Sequence, residues 1–129
     1  MRSKKLLIVD DSDDFRDMLK EYLRRHNLGI EIFEATTGEM GVAKASCVRP
    51  DVVLMDINLP HSSGLEATKQ IKIDHPDCDV IILTMFEVRI FKEAARGIRA
   101  ADFIGKSEIE DRLIPTIRRC LESKVKVRR

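Results

Sequence analysis

Five polar side chains follow apolar runs, and their types together suit phosphoryl transfer. Asp10 and Asp11 follow Leu6-Leu7-Ile8-Val9, Asp56 follows Val52-Val53-Leu54-Met55, Thr84 follows Val80-Ile81-Ile82-Leu83, and Lys106 stands just beyond Phe103-Ile104. Carboxylates gathered at one place repel each other unless a hard dication lies among them, and their oxygens suit Mg2+. One of them can serve as nucleophile, while a hydroxyl and an ammonium stabilise the oxygens of the transferring group. Each residue alone has a plainer reading. An acidic pair before a helix complements its dipole, an aspartate or threonine ends a strand, and a lysine is a solvated amine. The joint occurrence is what points to chemistry.

For these side chains to meet, the apolar runs must be strands of one sheet whose ends share an edge. The chain supplies the alternation that this requires. Lys5 to Val9 is the first strand, and Ser12 caps a helix with Asp13 and Asp14 in its first turn and Phe15, Met18, Leu19, Tyr22 and Leu23 on one face. Asn27 to Gly29 ends it. Ile30 to Ala35 is the second strand, which brings no polar residue to the site. Thr36 and Glu39 have capping-box spacing before a helix with Met40, Ala43 and Cys47, which Arg49-Pro50 breaks. The third strand is the run between Asp51 and Asp56. Ser63 and Glu66 cap a helix bearing Leu65, Thr68, Ile71 and Lys72, stopped before His75-Pro76. Val80 to Leu83, a shorter helix with Val88, Phe91, Ala94 and Ala95, a brief strand at Phe103-Ile104 and a last helix through Ile109, Leu113, Ile117 and Leu121 complete the chain. Pro115 fits that helix only in its first turn, and otherwise kinks it.

Strands alternating with helices imply right-handed crossovers and a parallel sheet covered on both faces. The expected fold is therefore α/β, flavodoxin-like and doubly wound, with five parallel strands in the order 2-1-3-4-5 and five helices. That order sets the first and third strands side by side, as Asp10, Asp11 and Asp56 require.

Length and charge narrow the function classes. A chain of 129 residues makes one domain of ordinary size. With 23 Lys plus Arg against 22 Asp plus Glu, there is no net field to draw nucleic acid or an anionic membrane. Cys47, Cys78 and Cys120 are odd in number and lack C-x-x-C spacing, so they read as reduced packing thiols of a cytoplasmic protein. His26, His61 and His75 share no ligand spacing. No apolar run approaches a membrane span, and no signal-peptide pattern opens the chain. Residues 1–122 are expected to be the domain, and 123–129, with Lys124, Lys126, Arg128 and Arg129, a basic tail or truncated linker.

The paired acids, the Asp-x-x-x-Pro-x-x-x-Gly pattern running from Asp56 through Pro60 to Gly64, Thr84 and Lys106 together resemble the receiver domain of two-component response regulators, from Lys5 to about Leu121. That resemblance implies a phosphorylation-controlled signalling switch. Asp56 is then the phosphoacceptor, taking its phosphoryl group from a sensor histidine kinase or phosphotransfer protein. Asp11, Asp56 and the backbone carbonyl of Asn58 bind Mg2+ directly, and Asp10 acts mainly through water. Lys106 and Thr84 hold phosphoryl oxygens, and Phe103 is the switch aromatic that turns inward. The output surface is formed by the helix around Val88 to Ala95, the strand of Phe103 and the last helix, with homodimerisation on phosphorylation as one readout.

Several residues depart from the family's pattern. Ser107 replaces the proline that often follows the lysine, and Leu83-Thr84-Met85 resembles the branch with helix-turn-helix output domains; the chain is expected to be either a stand-alone regulator acting by protein contact or the receiver piece of a longer chain with a DNA-binding effector, and these details lean towards the second. Met85 is bulky beside the switch threonine and is expected to slow small phosphoryl donors and hydrolysis. Arg99-Ala100 stands where a glycine-alanine pair usually makes a left-handed turn. Two other readings stay open: a pseudo-receiver controlled by protein contacts alone, and a Mg2+-dependent aspartyl phosphatase of the haloacid dehalogenase type. The latter needs an acid two residues after its nucleophile, where this chain has Asn58.

Overall fold

The computed structural model describes residues 3–59, 63–85 and 97–127. Five strands, β1 (Lys4–Val9), β2 (Ile30–Ala35), β3 (Val52–Asp56), β4 (Asp79–Thr84) and β5 (Asp102–Gly105), form one sheet in the order β2-β1-β3-β4-β5. All four pairings are parallel. The described residues contain four α-helices: α1 (Asp13–Arg25), α2 (Gly38–Val48), α3 (Gly64–Asp74) and α4 (Ile109–Val127), the last preceded by a 3-10 turn at Lys106–Glu108. The further helix expected around Val88 to Ala95 falls outside the described residues.

The strands are continuous apolar runs because both faces of the sheet are covered, and alternate residues feed two cores. Leu7, Val9, Val53, Met55, Val80 and Ile82 pack beneath α2 and α3 with Ala45 and Ile71. Leu6, Ile8, Leu54, Ile81 and Ile104 face α1 and α4 with Leu19, Leu23, Leu113 and Ile117.

The helix caps follow the sequence with one adjustment. Ser12 and Ser63 accept the expected backbone N–H groups, from Phe15 and from Leu65 and Glu66. The cap of α2, however, is Thr37, which accepts from Met40 N, while the Thr36 hydroxyl turns to the Met40 sulfur.

Three helix faces differ from expectation. On α2 the buried residues are Gly38, Gly41 and Ala45, while Met40, Ala43 and Cys47 are exposed. Gly41 lies so close to β1 that a Cβ there would sit 2.9 Å from a Val9 methyl, so small residues rather than large ones face the sheet. On α1, Met18 is exposed and Arg16 is buried in its stead. On α4, Pro115 lies beyond the first turn, and the helix continues through it. Its ring is on the solvent-facing side, where the carbonyl it leaves without a helical donor can be hydrated. The same helix runs past Leu121 to Val127, so the segment read as a tail begins inside it. Lys124 ties this end to the start of β4, donating to Asp79 Oδ2 at 2.9 Å and to the Asp77 carbonyl.

Before β5, the left-handed residue is Gly97, at φ +94°, and not Arg99. The turn that the Arg99-Ala100 departure put in question is thus made two residues earlier, by a residue without a Cβ.

Candidate phosphoacceptor site

Strand register brings the site together. Val9 is level with Met55, so Asp10 emerges beside Asp56. Asp56 is paired with Leu83, and Thr84 with Gly105, which places Thr84 and Lys106 one step further along the same edge. Carboxylate oxygens of Asp10, Asp11 and Asp56 lie within 4.8 Å of one another. Lys106 Nζ donates to Asp10 Oδ2 at 3.0 Å and stands 3.8 Å from Asp56 Oδ2.

The site is enclosed unevenly. Asp10 is 1% and Asp56 4% exposed, whereas Asp11 faces solvent. Asp56 Oδ1 accepts from Asn58 N at 3.1 Å, and Asp10 Oδ1 accepts from Ser12 N at 2.8 Å. Burial pushes the Asp56 carboxyl above its ordinary value; the neighbouring Asp10 and Asp11 charges add to this, and the Asn58 amide and Lys106 oppose it. Three carboxylates and one ammonium leave a formal charge of −2 when all are ionised. An all-oxygen donor set with that charge fits a hard dication such as Mg2+, with Asp10, Asp11 and Asp56 as the residues to hold it.

Thr84 is fully buried at the end of β4. Phe103 is 8% exposed, inside the core on the α2 and α3 side. Asn58 is exposed just beyond β3, and Met85 is 72% exposed beside Thr84. Pro60 of the motif lies outside the described residues.

Sequence reasoning missed several supporting residues. The Phe15 ring lies 3.9 Å beneath Lys106 Nζ, a cation–π contact that narrows where the ammonium can sit. Arg16 Nη1 donates to the Asp10 carbonyl at 2.7 Å and Nε to Glu34 at 3.0 Å. The second strand therefore does reach the site, through Glu34. The signal was an acid in the alternating row Ile30, Ile32, Glu34, whose other members face α1. Gly64 also has a geometric reason: a Cβ there would fall 2.2 Å from the Asp56 carbonyl oxygen and 2.9 Å from Ile57 Cα.

The response regulator receiver domain family matches residues 6–118. The chain is 34% identical over 115 residues to the response regulator GacA of Pseudomonas syringae pv. syringae, covering 88% of this chain and 53% of that protein. It is 33% identical over 115 residues to the chemotaxis protein CheY of Thermotoga maritima, covering 88% of this chain and 94% of that one. The transcriptional regulatory protein YdfI of Bacillus subtilis is 44% identical over 82 residues, which is 64% of this chain and 38% of YdfI. The chain thus spans about half the length of GacA and less of YdfI. Among solved structures, a LuxR-family two-component response regulator from Aurantimonas superposes with a TM-score of 0.85 at 25% identity, over 95% of this chain and 87% of that one. The response regulator TrrA of Thermotoga maritima, solved in complex with Mg2+ and BeF, gives 0.81 at 31% identity over 91% and 98%. With the family spanning nearly the whole sheet and its flanking helices, the chain belongs to the response regulator receiver domains.

Proposed function

We propose that this chain is a phosphorylation-controlled switch in which Asp56 is the phosphoacceptor. The observation that carries this reading is the convergence of Asp10, Asp11 and Asp56 within 4.8 Å, with Lys106 bridging Asp10 and Asp56. Asp10, Asp11 and Asp56 would hold Mg2+, which would supply positive charge to offset that of the phosphoryl oxygens. An Asp56 carboxylate oxygen attacks phosphorus of a phosphohistidine on a sensor kinase or phosphotransfer protein. The P–N bond breaks, and its electron pair leaves with the imidazole. Lys106 then neutralises a phosphoryl oxygen, and Thr84 donates its hydroxyl to another. Hydrolysis returns the carboxylate, as water attacks phosphorus and the P–O bond to Asp56 breaks. The solved TrrA complex with Mg2+ and BeF, on a chain 31% identical to this one, supports the metal assignment.

Phe103 is the proposed switch aromatic. Because its ring is already inside, phosphorylation would fix an inward state rather than create it. Residues 1–122 form the receiver, and the output is read from the face of β5 and α4, by a partner, a second copy or a DNA-binding domain. The similarity to YdfI and to the LuxR-family structure favours the last.

Intact-mass spectrometry after incubation with acetyl phosphate tests the acceptor. The parent is expected to gain one phosphoryl group only with Mg2+, and Asp56→Asn none. If acetyl phosphate fails because Met85 crowds small donors, a phosphorylated histidine kinase replaces it. No mass gain from either donor would leave the pseudo-receiver reading in its place.

A further inference from the structure

Arg16 is the buried cation of α1, 8% exposed, and its guanidinium divides among three acceptors. Nη1 donates to the Asp10 carbonyl at 2.7 Å, Nε to Glu34 at 3.0 Å, and Nη2 to Asp13. Glu34 is held in turn by Lys20 Nζ at 2.9 Å. The Asp10 carbonyl belongs to the peptide unit that joins Asp10 to Asp11. That unit is planar, so fixing its oxygen orients the plane that carries the Cα atoms of both acids. On the other side of Asp10, its own N–H donates to the Ala35 carbonyl at 3.1 Å. The residue is thereby held by β2 at its nitrogen and, through Arg16 and Glu34, by β2 again at its carbonyl.

We propose that Arg16 is a positioning residue of the phosphoacceptor site: by clamping the Asp10–Asp11 peptide to Glu34, it sets both acids for a divalent cation before the cation arrives. The inference rests on the receiver reading above and adds a device to it. An arginine suits the task because its planar fork donates in several directions at once, whereas a lysine offers one compact ammonium. The charge itself has the opposite effect. A cation near a Mg2+ site repels the metal, so a purely electrostatic Arg16 would weaken binding and its removal would tighten it. Positioning and charge therefore predict changes of opposite sign.

The test is Mg2+ affinity of the unphosphorylated protein, measured by titration calorimetry for the parent, Arg16→Lys, Arg16→Met and Glu34→Gln, with thermal unfolding of each. Arg16→Lys keeps the charge and loses the fork. It is expected to raise the Mg2+ Kd by about tenfold or more, as removal of groups that orient metal ligands does. Arg16→Met is expected to weaken binding despite losing a repulsive charge, and Glu34→Gln to weaken it less. An Arg16→Lys Kd equal to the parent's, or tighter binding by Arg16→Met, would overturn the proposal. Should the Arg16 variants fail to fold, Glu34→Gln decides at high salt, where the lost anion's own attraction for Mg2+ is screened: a raised Kd in a folded protein upholds the clamp, and an unchanged one removes it. A parent that binds no Mg2+ at all would sink the receiver reading itself, an outcome distinct from a parent that binds and variants that bind equally.

Discussion

Asp56 is placed where its charge costs stability. Burial raises its pKa above the ordinary 3.8, so the folded chain holds the proton more tightly than the unfolded one. Stability then falls as pH rises from about 3.8 through the folded pKa, and stays lower above it. Without divalent cations, Asp56→Asn is therefore expected to melt a few degrees above the parent at neutral pH, with the gap closing at acid pH. Mg2+ should raise the parent's Tm and close the neutral gap, because it binds the native site preferentially. Melting curves against pH, with and without Mg2+, check both halves; a parent more stable than Asp56→Asn in metal-free neutral buffer would contradict the desolvation argument. Gly64 serves the same carboxylate from the backbone side. A methyl there meets the Asp56 carbonyl at 2.2 Å, and neither this oxygen nor Ile57 Cα is the end of a flexible side chain. Gly64→Ala must move either α3 or the end of β3, at a cost of about 1–3 kcal/mol, typical of forcing an atom into a packed site. Urea denaturation should show that loss, and the phosphorylation rate should fall with it because the displaced atoms carry the proposed nucleophile.

The elements were legible in the sequence to different depths. Strands could be read because a sheet covered on both faces demands unbroken apolar runs, and the register between β1, β3, β4 and β5 then delivered Asp10, Asp56, Thr84 and Lys106 to one edge. Helix faces were harder. The periodicity of α2 suggested large residues inward, but at Gly41 even a Cβ would sit 2.9 Å from a Val9 methyl, a constraint set by the distance from helix to sheet rather than by pattern. On α1, a buried arginine interrupts the stripe because it answers to the Asp10 carbonyl and Glu34 on another element, contacts that helical spacing does not encode. The end of α2 carries a testable strain. Arg49 takes a left-handed φ of 52° as the C-cap, where a side chain costs about 1–2 kcal/mol and glycine costs none beyond its chain entropy of about 0.5–1 kcal/mol. Arg49→Gly should stabilise the fold by roughly 0.5–1 kcal/mol, seen as a higher urea midpoint at an unchanged slope. A lower midpoint would mean that Arg49 makes up for its backbone elsewhere.

At the scale of the molecule, the sheet separates two cores, and a free thiol lies in each: Cys78 on the α2 and α3 side, Cys120 on the α1 and α4 side. Burial pushes the Cys78 thiol up to about 12 and the Cys120 thiol up to about 11, and both are at most 5% exposed. Cys47 is exposed on α2. A thiol reagent attacks only an accessible thiolate, so at mildly alkaline pH Cys47 alone should react quickly. The other two must wait for the protein to open. Every strand between them contributes alternate residues to both cores, so neither face can lose its packing without exposing the back of the other's strands. Where reagent attack outpaces reclosing, Cys78 and Cys120 are therefore expected to react at one common rate, with mass spectra passing from singly to triply labelled chains and few doubly labelled ones. Mg2+ at 100 times its Kd should slow both by about a hundredfold where reagent attack is slow against reclosing, since the site is built from strand ends that only the closed sheet brings together. A doubly labelled species that accumulates with Cys120 modified first would show instead that α4 lifts from the sheet on its own. The α4 face of the sheet, with Ile104 of β5, would then open while Asp10 and Asp56 stayed in register.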